Sequence, residues 1–376
     1  MKCLVLMLAA AIAVGSGAGL ADPLRVYLGT QGKGESKGIY LCELDSASGA
    51  LTEPRLAVEV GSPGFLACHP DGSYMYSTSR PAGRNEPGRV AAYRIKPDGM
   101  LEMINRQSSE GRGPCFVGLD ASGQTLMVAN YGSGSVAALK VRQDGSLAKS
   151  TSVFRHEGSS VNPKRQEGPH AHSIYAGPDN EYAYAPDLGI DQVVIYKLDP
   201  GTATLKRAGA AKLPPGSGPR HMKFGSDGRQ AYVLSELLLN VVVFDRDASG
   251  GGLRRKQSVS VLPEGVDKDG MTCSEILVSR DGRFVYTANR DTAGGGRDSL
   301  SVLTIGRGGT LALLQTVPAK VAIPRNINLS PDGKWLLVAG QKSGNVPVFA
   351  VGKDGKLKTT PHEVTLANPM CVVFAK

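Results

Sequence analysis

His69-Pro70-Asp71-Gly72-Ser73-Tyr74-Met75-Tyr76-Ser77-Thr78 reads as a tight turn that delivers the chain into a strand. Pro presets one turn dihedral, Asp bonds its own backbone, and Gly accepts a positive φ. The phrase returns at Ala121-Ser122-Gly123, Pro178-Asp179-Asn180, Ser226-Asp227-Gly228, Arg280-Asp281-Gly282 and Pro331-Asp332-Gly333. Strands such as Phe284-Val285-Tyr286-Thr287-Ala288 follow these turns, and each unit ends in a second hairpin, as at Asp98-Gly99. Units of four short strands recurring about every 50 residues read as the blades of an all-β propeller.

The seventh unit is divided between the chain ends. Asn368-Pro369-Met370-Cys371-Val372-Val373-Phe374 matches the opening strand Ile323-Pro324-Arg325-Asn326-Ile327-Asn328-Leu329, and then the chain stops. The missing strands are found at the other end, in Leu24-Arg25-Val26-Tyr27-Leu28 and Gly38-Ile39-Tyr40-Leu41-Cys42. The expectation is a seven-bladed β-propeller with four antiparallel strands per blade, closed by pairing the N- and C-terminal strands. Closure removes two open sheet edges that would otherwise invite aggregation.

Residues 1–21 have the layout of a signal peptide: Met1-Lys2, an apolar run from Cys3 to Val14, and small residues ending Gly19-Leu20-Ala21. The apolar run is too short to span a bilayer, and no later stretch reaches that length. The expected product is one exported propeller, residues 22–376, secreted to the periplasm or outside the cell. Five cysteines remain after Ala21, widely spaced and without a Cys-x-x-Cys pair, which reads as buried thiols and not as a disulfide or metal framework. The net charge of +9 comes from scattered basic residues. That is not the clustered footprint of a nucleic-acid binder, but it suits a small anionic ligand.

Aligning the units on their turns places equivalent residues at equivalent depth. Seven positions before each turn stand Gly64, Cys115, His172, Arg220, Ser274 and Arg325, with Met370 in the divided blade. Many follow a proline, which suits the opening residue of a strand. Nine positions after each turn stand Arg80, Tyr131, Leu188, Glu236, Arg290 and Gln341. The start of one antiparallel strand and the end of its partner lie at the same end of a blade. Both sets should therefore surround one mouth of the channel, bringing His172, Arg220, Glu236, Arg290 and Arg325 together. His170, His221 and Glu275 are one step out of register, and strict alternation turns them away from the channel wall.

Several stretches carry a resemblance. Asn162-Pro163-Lys164-Arg165-Gln166-Glu167-Gly168-Pro169-His170-Ala171-His172-Ser173, Gly218-Pro219-Arg220-His221, Leu234-Ser235-Glu236, Ala288-Asn289-Arg290 and Ile323-Pro324-Arg325-Asn326-Ile327 resemble the lactonase family of seven-bladed propellers. That family includes a bacterial 6-phosphogluconolactonase and is related to fungal carboxy-muconate lactonising enzymes. The resemblance runs through nearly all of the chain after Ala21. It implies catalytic roles for His172, Arg220, Glu236 and Arg290. Sugar-phosphate chemistry belongs to the cytoplasm, so an export signal leaves the identity of the lactone open.

Opening a lactone requires a base for the attacking water, donors for the developing oxyanion, and a holder for the anionic part of the substrate. Glu236 and His172 are both candidates for the base. Arg220 and Arg290 suit the reacting carboxyl, and Arg325 and Arg80 suit a remote anion. His170, His221, Glu275 and Gln341 are further candidates for substrate contact. One carboxylate among several arginines is a poor cation site, so neither metal nor cofactor is expected. The loop from Arg155 to Glu167 is long enough to act as a lid. Two other readings stay open: a non-catalytic propeller binding an anion or a protein, and a muconate-type cycloisomerase that would use the same residues.

Overall fold

The computed structural model of the chain describes residues 23–32, 34–79 and 86–375. The expected leader and Arg80 lie outside the described residues. Seven four-stranded sheets form the ring, each in sequential antiparallel order except one. That one, blade I, is the divided blade, with Pro369–Ala375 innermost, followed by Leu24–Thr30, Gly38–Leu44 and Arg55–Glu59. Arg25 stands opposite Ala375 and Gly29 opposite Cys371, so the chain ends close the ring as expected.

Blades II to VII open with inner strands Leu66–Cys68, Pro114–Leu119, Tyr175–Ala176, Pro219–Phe224, Met271–Val278 and Pro324–Leu329. First strands of successive blades touch around the ring, with blade IV meeting blade V through its second strand. These strands therefore line the channel.

The apolar core consists of seven clusters, one in each cleft between neighbouring blades. Met127, Ala129 and Val136 of blade III pack against Ala183, Ala185 and Val194 of blade IV. Each blade is covered on both faces, which explains why strands such as Thr125–Asn130 are buried at every position. Large side chains contribute about 1.5–3 kcal/mol each when fully buried, and the cluster between blades VII and I exists only once the ends meet. Tyrosine hydroxyls add polar latches: Tyr27 donates to Gly99 O at 2.6 Å and Tyr76 to Gly145 O at 3.0 Å, each in the next blade.

Candidate active site

The inner strands are irregular at the mouth. Pairing slips between Pro219 and Met222, between Cys273 and Glu275, and between Pro324 and Asn326. A bulge adds a residue to one strand and redirects its side chains. His221 consequently lines the central cavity beside Arg220, and Glu275 reaches His221. This corrects the expectation from alternation, which turned both away from the channel. Blade IV departs in another way: its regular inner strand is only Tyr175–Ala176, and His172 N donates to Pro186 O at 3.0 Å to extend the pairing toward the mouth.

Glu236 is the centre of the charged cluster. It sits just beyond the second strand of blade V and is 3 % exposed. Arg165 Nη2 donates to Oε1 at 2.7 Å, Arg290 Nη2 lies 3.1 Å from the same oxygen, and Arg220 Nε lies 2.9 Å from Oε2. The Arg220 contact is an ion pair without hydrogen-bond alignment. Burial would raise the carboxyl, but Arg290, Arg220 and Arg165 outweigh it and hold Glu236 at about 2. Members of the two predicted rings, from blades V and VI, therefore do meet at one mouth.

Arg220 is also held from its other side. Its Nη1 donates to Ser274 O and lies 3.3 Å from His221 Nε2. His221 Nδ1 is 2.7 Å from Glu275 Oε1, and Asn326 Nδ2 donates to Glu275 Oε2 at 2.6 Å. With an arginine facing Nε2, the tautomer that fits carries its proton on Nδ1. Burial dominates and pushes His221 down to about 4, so the ring is neutral at pH 7. Glu275 is raised by burial but held at about 2 by His221, Lys223 and Arg220.

A cavity opens beside this cluster, lined by Arg220, Arg325, His221, Cys115, Thr78 and Met370, among others. Arg325 is half-buried and makes no ion pair or hydrogen bond among the described residues. Cys115 shares this cavity, so the expectation of buried thiols holds for Cys42, Cys273 and Cys371 but not for Cys68 and Cys115, which are half-buried. His172 packs against Tyr131 and His221 with ring centroids 5.3 and 5.4 Å away, and its Nδ1 is 3.8 Å from Cys115 Sγ. Burial first, then Arg220, His221 and Arg325, keep the His172 pKa well below 6.5. His170 is stacked on Tyr131 and bonded to its carbonyl at 2.9 Å, which ties it to the rim. Gln341 is joined through its backbone to Ile323 O, and its side chain has no bond to the charged cluster among the described residues.

Aromatic rings pack together beside the cavity. Phe65 of blade II meets Phe116 at 4.5 Å and His221 of blade V, across the ring, at 5.7 Å. Phe116 in turn meets Tyr175 at 4.7 Å. The Lys223 ammonium lies 4.6 Å from the Tyr175 ring. Among the described residues no group of three or more His, Cys, Asp or Glu is placed to hold a metal ion.

Sequence reasoning missed Arg165. The loop from His156 to Gly168 carries it to Glu236, and the loop is pinned: His156 bonds Asp187 at 2.6 Å, and Gln166 Nε2 donates to Asp191 at 2.8 Å. The Arg165-Gln166 pair was the available signal, since one residue reaches the mouth while its neighbour anchors the loop.

The description of the family model that matches residues 25–374 is "Lactonase, 7-bladed beta-propeller". The chain belongs to this lactonase family. Within it, a 6-phosphogluconolactonase of Bacillus subtilis is 38 % identical over 93 % of this chain and 97 % of its own length. A 6-phosphogluconolactonase of Formosa agariphila is 32 % identical over 88 % and 93 %. Among solved lactonase-type propellers, the periplasmic gluconolactonase of Pseudomonas aeruginosa superposes with a TM-score of 0.87 at 33 % identity, covering 94 % of this chain and 99 % of that one.

Proposed function

We propose that the protein is exported and hydrolyses a sugar or sugar-acid lactone in the cup at the charged mouth of the ring. The observation that carries this reading is the site's charge: three arginines share one carboxylate, and Arg325 is left over beside an open cavity. Such a surplus fits a reaction that begins at a polar carbonyl and ends in a carboxylate. The names of the similar proteins, 6-phosphogluconolactonase and periplasmic gluconolactonase, point the same way.

In this mechanism a neutral imidazole takes a proton from water as its oxygen attacks the lactone carbonyl. Arg220 and Arg290 stabilise the oxyanion. The ring C–O bond then breaks, and the imidazolium returns the proton to the departing alkoxide, giving the open hydroxy acid. His172 is the base in this scheme, favoured over Glu236 because three guanidiniums draw off that carboxylate's basicity. His221 Nε2 is engaged by Arg220, which suits His221 to holding that arginine in place. Arg325 receives the anionic part of the substrate. The test is a panel of phosphorylated and unphosphorylated aldonolactones assayed for acid release by the mature protein. Turnover of at least one supports the reading, and release from none rejects it.

A further inference from the structure

We propose that Asp191 is a positioning residue that sets the spacing of Arg165 and Arg220 around Glu236. This rests on the reading of those three groups as the charged part of the site. Asp191 lies on the turn between the second and third strands of blade IV, and is buried. Both of its oxygens are fully used. Oδ1 accepts from Gln166 Nε2 at 2.8 Å and from Gly218 N at 2.7 Å. Oδ2 accepts from Ser160 Oγ at 2.5 Å and from Gly216 N at 2.6 Å. Two of these donors belong to the loop that carries Arg165, and two to the segment that enters the strand carrying Arg220. One carboxylate thus joins the supports of two arginines that come from different parts of the chain.

The turn geometry is shared, but three other blades carry glycine or leucine at this position. The equivalent turn position is left-handed in other blades, with φ of 57° at Gly134, 50° at Leu239 and 71° at Gly344. Asp191 has φ of 53°. Aspartate is among the few side-chain-bearing residues that tolerate this region well, so it meets the backbone requirement while adding an acceptor that glycine or leucine lacks. Asp298 does a related job one blade before Arg325: its Oδ1 accepts Ile323 N at 3.1 Å and Asp291 N at 3.0 Å. It has no hydrogen bond to the Arg165 loop among the described residues, which makes it the natural comparison.

The experiment is a double-substitution cycle on the full mature chain, with Asp191→Asn, Arg165→Gln and their combination. Asp298→Asn paired with Arg165→Gln serves as the comparison. The expected result is a loss of kcat/KM of about tenfold or more in Asp191→Asn. The combined loss with Arg165→Gln should be well below the product of the single losses, while Asp298→Asn and Arg165→Gln should multiply. Multiplicative losses for the Asp191 pair would overturn the proposal. Hydrogen exchange supplies a readout independent of the reaction: amides of Gln166, Gly216 and Gly218 should exchange at least tenfold faster in Asp191→Asn, with the strand Gln192–Asp199 unchanged. Unchanged exchange at all three sites would overturn the proposal whatever the substrate proves to be, whereas faster exchange without any lactone turnover would reject only the hydrolase reading. If Asp191→Asn does not fold, Ser160→Ala and Gln166→Ala replace it in the same cycle, with the same two outcomes.

Discussion

Arg165 and Glu236, 71 residues apart in sequence, are joined by a 2.7 Å charge-assisted hydrogen bond across the top of the ring. One comes from the connection between blades III and IV, the other from the end of a strand in blade V. The bond makes the loop a fixed part of the mouth, and its guanidinium is one of three that set the state of the carboxylate.

Glu236→Gln should destabilise the protein by about 3–5 kcal/mol, because it leaves buried arginines without their counter-charge. The carboxyl is held at about 2 in the fold against an ordinary 4.5. Its contribution is therefore complete above about pH 4.5 and is lost as pH falls toward 2. Thermal melts from pH 7 to pH 2 should show this slope in the wild type and a flatter one in the variant. Equal slopes would remove Glu236 from its place at the centre of the cluster.

His172→Ala should lower kcat by about 100-fold with little change in KM, as expected when a general base is lost. Burial keeps the imidazole neutral well below pH 6.5, so the wild-type rate should stay level on the acid side to below that value. A rate that falls with a midpoint near 6.5 would assign the base to a more exposed group.

Arg325→Met should separate binding from stability. Burial, then Arg220 and Arg290, push the guanidinium down to about 9 from 12.5. Because the folded state disfavours its charge, the charged Arg325 is a cost at pH 7 that lessens as pH rises through that range. The variant should melt roughly 2 °C higher at pH 7 while KM for an anionic lactone rises about tenfold, a remote contact that acts equally in ground and transition states. A drop in both KM and melting temperature would contradict the assignment.

Deleting residues 368–376 should abolish the soluble monomer. Leu24–Thr30 would lose its inner partner, and the cluster between blades VII and I would lose Val372. An exposed strand edge beside an open apolar cleft invites association between chains. Sedimentation should find aggregate, and a well-behaved truncated monomer would mean that ring closure contributes little.

The blade count was legible because turn residues and two-residue alternation are local signals, and Asp71-Gly72 or Asp281-Gly282 carries them without reference to the rest of the chain. The convergence of Arg220, Glu236 and Arg290 was legible for a related reason, since register counts survive as long as strands are regular. It failed where they are not. The bulges after Pro219 and Cys273 turned His221 and Glu275 toward the site, and no periodicity marks a bulge in advance. Arg165 and Asp191 act from a loop and a turn, where position depends on hydrogen-bond partners far away in sequence. Ile323 shows the same limit: a β-branched residue at φ 58°, fixed by Asp298 just before Arg325, is an arrangement that local preference argues against.

With Phe65, Phe116, Tyr175 and His221 packed beside the cavity, lactone on the proposed reading enters, and acid leaves, by the charged mouth. Turnover is then a matter of traffic as well as chemistry. On that reading the hydrolysed lactone departs with a new negative charge, past the same guanidiniums. Release of acid should then be the slow passage, and added product should compete directly with incoming lactone.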